Sequence, residues 1–252
     1  MAEDFDNWEI AGLAFLLRFF PLGIRLMRLS HKLALPALGA FCLSLSSCTV
    51  MKDYEKKQAQ VRADRELAAL RSQARAEHAV FRAHKGWKAD TYRNKALLEQ
   101  ATPDNVSLEI ALGEQRGFLL VNGALAMDFP LASGKKSHPT PAGSYTIRGK
   151  VKDYHSNLYG KIVDPAGTVL VADADTRQHP VPEGASFAGA AMPYWMRLSD
   201  TGVGLHVGHV PGGSAASHGC VRLRRQTASY LFSLVQVGTP VVIAENAPAL
   251  AE

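Results

Sequence analysis

Apolar and polar residues change rhythm along this chain, and the change divides it. In the second half short alternating runs dominate. Residues 106–112 (Val-Ser-Leu-Glu-Ile-Ala-Leu) alternate with period two, the mark of a half-buried strand. Residues 116–121 and 125–131 flank Asn122-Gly123, the favoured two-residue turn of a hairpin. Further short runs at 144–152, 168–172, 194–198, 204–207 and 239–244 are separated by turn residues and read as strands. One helix is predicted, 225–237, closing at Gly238. Many short strands with one or two helices give a mostly β (α+β) class.

The first half has a different rhythm. Residues 52–85 contain neither Gly nor Pro and are rich in Lys, Arg, Glu, Gln and Ala, all strong helix formers. Val61, Leu67, Leu70, Ala74, Val80 and Phe81 recur only roughly at helical spacing, so the apolar stripe is thin. The pattern predicts a solvated helical arm over 49–104, punctuated at Gly86-Trp87 and Thr102-Pro103-Asp104. A β domain is expected over 105–246, with a short tail at 247–252.

Before the arm, residues 33–45 are almost uncharged, preceded by Met27-Arg28-Leu29-Ser30-His31-Lys32 and followed by Ser46-Ser47-Cys48. A basic start, an apolar stretch and a small-residue site make a secretory signal over 27–48. Its apolar part is shorter than the roughly 20 residues a membrane-spanning helix needs. Leu45-Ser46-Ser47-Cys48 resembles the lipobox of bacterial lipoproteins, which implies acylation at Cys48 and a membrane partner through that lipid. Residues 1–26 carry Arg18, Pro21 and Arg25 within an apolar run, a poor spanning segment. They are read as an upstream extension from a misplaced start, because Met27 opens a complete signal by itself.

Composition changes this picture little. A 47% hydrophobic and 20% charged chain of 252 residues has enough apolar material for one core plus appendages. The net charge of +5 is spread along the chain with no nucleic-acid motif, so nucleic acid is not an expected partner. Anionic lipid or cell-wall polymer suits the charge better. Three cysteines, two of them inside the signal, cannot build a disulfide framework, and Cys220 is read as a free thiol.

Cys220 also carries the candidate chemistry. It stands in Ser217-His218-Gly219-Cys220-Val221-Arg222, with Leu205-His206-Val207-Gly208-His209 upstream. A thiol is a strong nucleophile only as thiolate, favoured beside an imidazolium or a helix N-terminus. His206 and the helix that follows the motif offer both. In a strand, positions 206 and 208 share a face and His209 points away. His218 is too near Cys220 on a tight turn to be squared to it, so His206 is the better base. Gly219 permits a sharp turn whose amides, with that of Cys220, can face an oxyanion.

At these residues the chain resembles the L,D-transpeptidase catalytic (YkuD) family, which crosslinks bacterial peptidoglycan by cysteine acyl transfer. Two more blocks match: Ser133-Gly134-Lys135 through Thr140-Pro141-Ala142-Gly143-Ser144-Tyr145-Thr146-Ile147, and Met192-Pro193-Tyr194-Trp195-Met196-Arg197. The resemblance covers roughly 105–245. It implies a β-sandwich-like fold with a cleft, Cys220 as nucleophile, His206 as proton donor and acceptor, and His218 in support. It further implies peptidoglycan peptide stems as partners, a periplasmic position in the cell envelope, and no cofactor. Tyr194 is a candidate oxyanion donor, although aromatic residues in strands are more often core. Trp195 and Ser217 are candidate substrate contacts. Arg222, where many members carry Asn, either grips a stem carboxylate or braces the loop. Only ten residues, 207–216, separate His206 from Ser217, a short loop by the standard of the family.

Water as acceptor would make the chain an L,D-carboxypeptidase, and a silent site would make it a peptidoglycan-binding lipoprotein. The paired His and Cys argue against the second. His206, His209, His218 and Cys220 match the ligand number of zinc but no zinc spacing, so no metal is expected.

Overall fold

The computed structural model describes residues 38–247, with side chains from residue 49. The extension 1–26 and residues 27–37 of the signal lie outside the described residues, and so do residues 248–252 of the tail. Cys48 falls on a stretch described in backbone alone. The chain divides into two compact units, 1–57 and 58–252. In the first, residues 38–57 are helical and those from 49 are exposed. No described helix is long and apolar enough to cross a membrane.

The second unit is mostly β. Helix α1 (Leu38–Ala83) contributes its later turns, followed by β1 (Tyr92–Arg93) and the short helix α2 (Lys95–Glu99). Then come β2 (Val106–Ala111), β3 (Arg116–Val121), β4 (Ala124–Ala132), β5 (Gly143–Thr146), β6 (Gly149–Val163), β7 (Val169–Asp175), β8 (Ser186–Arg197), β9 (Gly204–Val207) and β10 (Val221–Leu223). Helix α3 (Arg225–Leu234) and β11 (Pro240–Ala244) close the fold. The strands run β5-β11-β2-β3-β4-β10-β9-β8-β6-β7, with β1 added on β4. Strand β4 is the seam, antiparallel to both β3 and β10. The two halves share one core in which Leu108, Leu119, Phe129 and Ile243 meet Met196, Leu205, Val221 and Leu231. The expected mostly β class, preceded by a helical arm, is what the structure shows.

The hairpin turn at Asn122-Gly123 forms as the sequence predicts, with φ of 48° and 75°, the left-handed pair that matches strand twist. The differences lie elsewhere. Residues 144–152 are two strands, not one, because the chain breaks between Thr146 and Gly149. Strands β6 and β8 run far beyond the predicted segments, pairing from Gly149–Arg197 out to Val163–Ser186. They form a long hairpin in which residues 151–153 are exposed in succession, while Gly160 and Ile162 near its far end are buried.

The arm is not solvated throughout. Every residue of β3 and β4 is buried, on both faces. The core covers one face, and residues from α1 onward cover the other. Phe118, Leu120 and Leu125 pack with Tyr92, and Phe81 lies against them. Asp128, fully buried, accepts from Arg116 Nε at 2.6 Å and Arg82 Nε at 2.9 Å, and its Oδ2 lies 2.7 Å from His78 Nε2. Arg116 also donates to the carbonyls of Lys88 and Asp90, both at 3.0 Å. A carboxylate and a guanidinium buried at this depth must be paired, and the arm supplies part of the pairing. Burial alone would push the Asp128 carboxyl up; His78, Arg116 and Arg82 more than offset it and hold it below the ordinary range.

Candidate active site

Strands β9 and β10 place the site. They pair in parallel, Val221 opposite Leu205 and Arg222 opposite His206. Leu205 and Val221 are fully buried and face the core. Alternation therefore turns His206 and Arg222 to the other face. Cys220, one residue before β10, shares that face, diagonal to His206. His206, Cys220 and Arg222 line one cleft of about 260 Å³. Ser217, His218, Gly219 and Trp195 line it too.

His206 is held from behind. Its Nδ1 lies 2.8 Å from the carbonyl oxygen of Val207, which can only accept, so Nδ1 carries the hydrogen and Nε2 keeps its lone pair. Trp195 lies against the imidazole, 5.9 Å between ring centroids. Burial, reinforced by the charge of Arg222, depresses the imidazole to about 4 against the carbonyl contact that favours its protonation. The thiol moves the opposite way: burial pushes Cys220 up, and the Gly204 amide and Arg222 offset only part of this. Cys220 Sγ donates to the carbonyl of Gly202 at 3.4 Å.

Both shifts correct the expectation of a resting thiolate. Away from water each charged form is penalised, so burial favours a neutral thiol and a neutral imidazole. The helix contributes nothing to the thiol either, since β10 intervenes and α3 begins only at Arg225.

The turn that carries Cys220 is tied down by its own residues. Gly219 has a left-handed φ of 111°, as a sharp turn requires. Its amide donates to Ser217 Oγ at 3.1 Å, and that hydroxyl donates on to the carbonyl of Cys220. The Gly219 amide, expected to face an oxyanion, is thus engaged within the turn. Ser217 is buried and its work is structural, although part of it lines the cleft.

Tyr194 is not brought to the cleft. With φ of 57° it breaks the alternation of β8, and its ring packs on Phe232 of α3 at 5.5 Å. Trp195 instead turns to the cleft, stacked on Tyr154 at 5.2 Å. His209, expected to point away, also lines the cleft, because β9 ends at Val207 and strand alternation ends with it. His218 accepts from Lys135 Nζ at 3.0 Å, and burial and neighbouring cations keep it below its usual range.

Several site residues carried no sequence signal. Tyr159 stacks on His218 at 4.9 Å, and Arg177, tied to Asp175 at 2.7 Å, donates to its hydroxyl at 2.7 Å. Tyr159 lies on β6 and Arg177 in the turn just beyond β7, where no period marks them. Thr140 was legible only as part of a turn. Its buried Oγ1 accepts from the Gly134 amide at 2.8 Å and donates to the Gly219 carbonyl at 2.9 Å, bracing the nucleophile turn. No cluster of three or more metal-ligating side chains occurs among the described residues.

With this geometry in hand, comparison with known proteins gives one family. The model of the L,D-transpeptidase catalytic domain (YkuD) matches residues 105–243. The chain is 29% identical over 125 residues to a probable L,D-transpeptidase 3 of Mycobacterium tuberculosis. That match takes in 46% of this chain and 38% of the relative, so the chain spans little more than a third of the curated protein. Among solved structures, an Enterococcus faecium L,D-transpeptidase is 26% identical with a TM-score of 0.42, over 56% of this chain and 50% of that one. The catalytic domain of an E. faecium L,D-transpeptidase is 28% identical with a TM-score of 0.40, over 55% and 96%.

Proposed function

The chain belongs to the YkuD family of L,D-transpeptidase catalytic domains, and on that footing we propose that it remodels peptidoglycan peptide stems by cysteine acyl transfer. One observation carries this reading. His206 and Cys220 lie on one face of a parallel strand pair and line one cleft, with the imidazole lone pair left open.

The chemistry follows from a neutral pair. As the scissile carbonyl enters, Cys220 Sγ bonds to its carbon while the thiol proton passes to His206 Nε2. The resulting oxyanion takes a hydrogen bond from the amide of Cys220. The carbon–nitrogen bond to the terminal D-residue then breaks, and the imidazolium returns its proton to the departing amine. That leaves a thioester. An amine of a second stem, deprotonated by His206, attacks the thioester and releases the thiol, closing the cycle with a crosslink. Water in place of that amine gives carboxypeptidase chemistry. His218, neutral and held by Lys135, supports the turn.

Location belongs to the same proposal. Acylation at Cys48 would hold the enzyme on the periplasmic side of the cell envelope, with the wall polymer as partner. Metabolic labelling with an alkyne-bearing fatty acid tests this. The full chain should take up label and Cys48→Ala should not.

The reaction is tested by incubating the full chain with a tetrapeptide stem, with and without a second stem as amine donor, and following products by mass. Release of the terminal D-residue, with a crosslinked dimer only when the amine is present, supports transpeptidation. Release without a dimer moves the assignment to carboxypeptidase. Saturable stem binding without release makes the chain a binding module.

A further inference from the structure

One guanidinium in the cleft has nothing to hold. The other cleft arginine, Arg177, is tied to Asp175, and outside the cleft Arg82, Arg116, Arg148 and Arg197 each hold a carboxylate. Arg222 lines the cleft beside His206 and Cys220, and among the described residues no hydrogen bond or ion pair reaches its side chain. Its charge is still felt there, weighing against protonation of both His206 and His218. A guanidinium is permanently charged and presents a planar fork of donors, the shape that accepts a carboxylate through two parallel bonds. Left alone in a cleft, it is a site awaiting an anion.

Its aim is set by a missing side chain. A Cβ on Gly208 would stand 2.7 Å from both Cγ and Cδ of Arg222 and 3.1 Å from its Cβ. The aliphatic stem of Arg222 therefore occupies the space that any other residue at 208 would fill. Gly208 cannot retreat, because its amide donates to the carbonyl of Leu223 at 3.0 Å. Gly208 lines the cleft itself and also fixes the course of the Arg222 stem, as a positioning residue. The remaining charges nearby do not compete. Lys135 faces His218, Asp175 is tied to Arg177, and Asp173, 3.7 Å from His218, is largely exposed.

We propose that Arg222, aimed by Gly208, binds a free carboxylate beside the scissile carbonyl of the donor stem, so that the enzyme selects stems carrying a carboxylate there over those carrying a carboxamide. The inference rests on the acyl-transfer reading above and adds the substrate class to it. A carboxamide offers the fork one acceptor and one donor, so one bond is lost and two donors are set against each other. Two groups on a stem have the required chemistry: the terminal carboxylate of the departing D-residue, and a side-chain carboxylate on the residue whose carbonyl is attacked.

Three donor stems decide it with the full chain: one with both carboxylates free, one amidated at the terminus, one amidated at the side chain. They compete for one acceptor, and relative kcat/KM is read by mass. One amidated stem should be used at least tenfold less well than the free stem, and which one it is identifies the carboxylate. Arg222→Gln and Gly208→Ala should each bring that ratio to within about twofold of one. Gly208→Ala keeps the charge and shifts the stem that aims it. Because each ratio is taken on a single enzyme, a change in thiol reactivity cancels. If Gly208→Ala does not fold, Arg222→Gln alone decides. Equal use of all three stems, or a preference that survives Arg222→Gln, overturns the proposal. Turnover of none of the stems overturns the acyl-transfer reading instead, and the proposal with it.

Discussion

Two clusters of polar side chains, one beneath α1 and one in the cleft, are treated in opposite ways. Beneath α1, Asp128 is surrounded by His78, Arg82 and Arg116, every charge is matched, and nothing is left to bind. In the cleft, burial disfavours the charged forms of His206 and Cys220, and Arg222 has no carboxylate partner among the described residues. Both arrangements answer the same cost of removing a polar group from water. The first does so by pairing, which yields a fixed structure. The second does so by withholding charge until a substrate arrives, which yields reactivity. Completeness of pairing separates scaffold from site in this chain.

Breaking each place should therefore fail differently. The largest effect is expected at the imidazole: His206→Gln should slow acylation of Cys220 by 10² to 10⁴, the usual contribution of a positioned general base. Its unfolding midpoint in urea should stay near wild type at neutral pH. A large loss of stability instead would make His206 one more scaffold residue and dissolve the contrast. Next comes Asp128→Ala, which leaves two guanidinium groups and an imidazole without their partner. It should cost about 3–5 kcal/mol of unfolding free energy, while the fraction still folded is acylated at the wild-type rate. A smaller loss is expected for Thr140→Val, where the brace between Gly134 and Gly219 goes but the volume stays. Leaving those groups unsatisfied is worth about 1–3 kcal/mol, and slower acylation without any change in the pH at which it is fastest would show that turn geometry alone is affected.

The same contrast sets two pH windows. His206 sits near 4 when folded and near 6.5 when unfolded, so the unfolded chain takes up a proton first as pH falls. That contribution to stability is whole above 6.5 and fades between 6.5 and 4. Asp128 is depressed, so its contribution is present above the ordinary carboxylate range and is lost only below about 4, as the folded carboxyl protonates. Urea titrations across pH should show both declines, and His206→Gln should flatten the first while sparing the second. Alkylation of the thiol by iodoacetamide sharpens the picture. With Cys220 raised, its rate should climb about tenfold per unit between pH 6 and 8. A plateau from pH 5 would mean a standing thiolate–imidazolium pair.

How much of this could be read beforehand follows from what a one-dimensional pattern encodes. The Asn122-Gly123 turn, the strands beside it and the placement of His206 and Cys220 were legible because each depends on local chemistry or on period two. The length of the β6–β8 hairpin was not, since successive exposed residues such as 151–153 carry no period, and Tyr159 and Arg177 were lost with it. Tyr194 was misplaced because one left-handed residue inside β8 reverses which neighbour faces the cleft. The Gly219 amide was assigned outward because nothing in the sequence reveals that Ser217 Oγ takes it first. The thiolate was expected from residue types alone, and burial, which only the fold supplies, turned both shifts around. The thin stripe on α1 concealed a buried ionic contact for the same reason: His78 gains its importance from Asp128, fifty residues away.

Intact-mass analysis of the reduced full chain after incubation with a carbapenem tests the central claim most directly. The account predicts one stoichiometric covalent adduct, mapped by peptide digestion to Cys220 and absent from Cys220→Ala of equal thermal stability. An adduct that persists in Cys220→Ala, or a folded and reduced wild-type protein that remains unmodified, would contradict it.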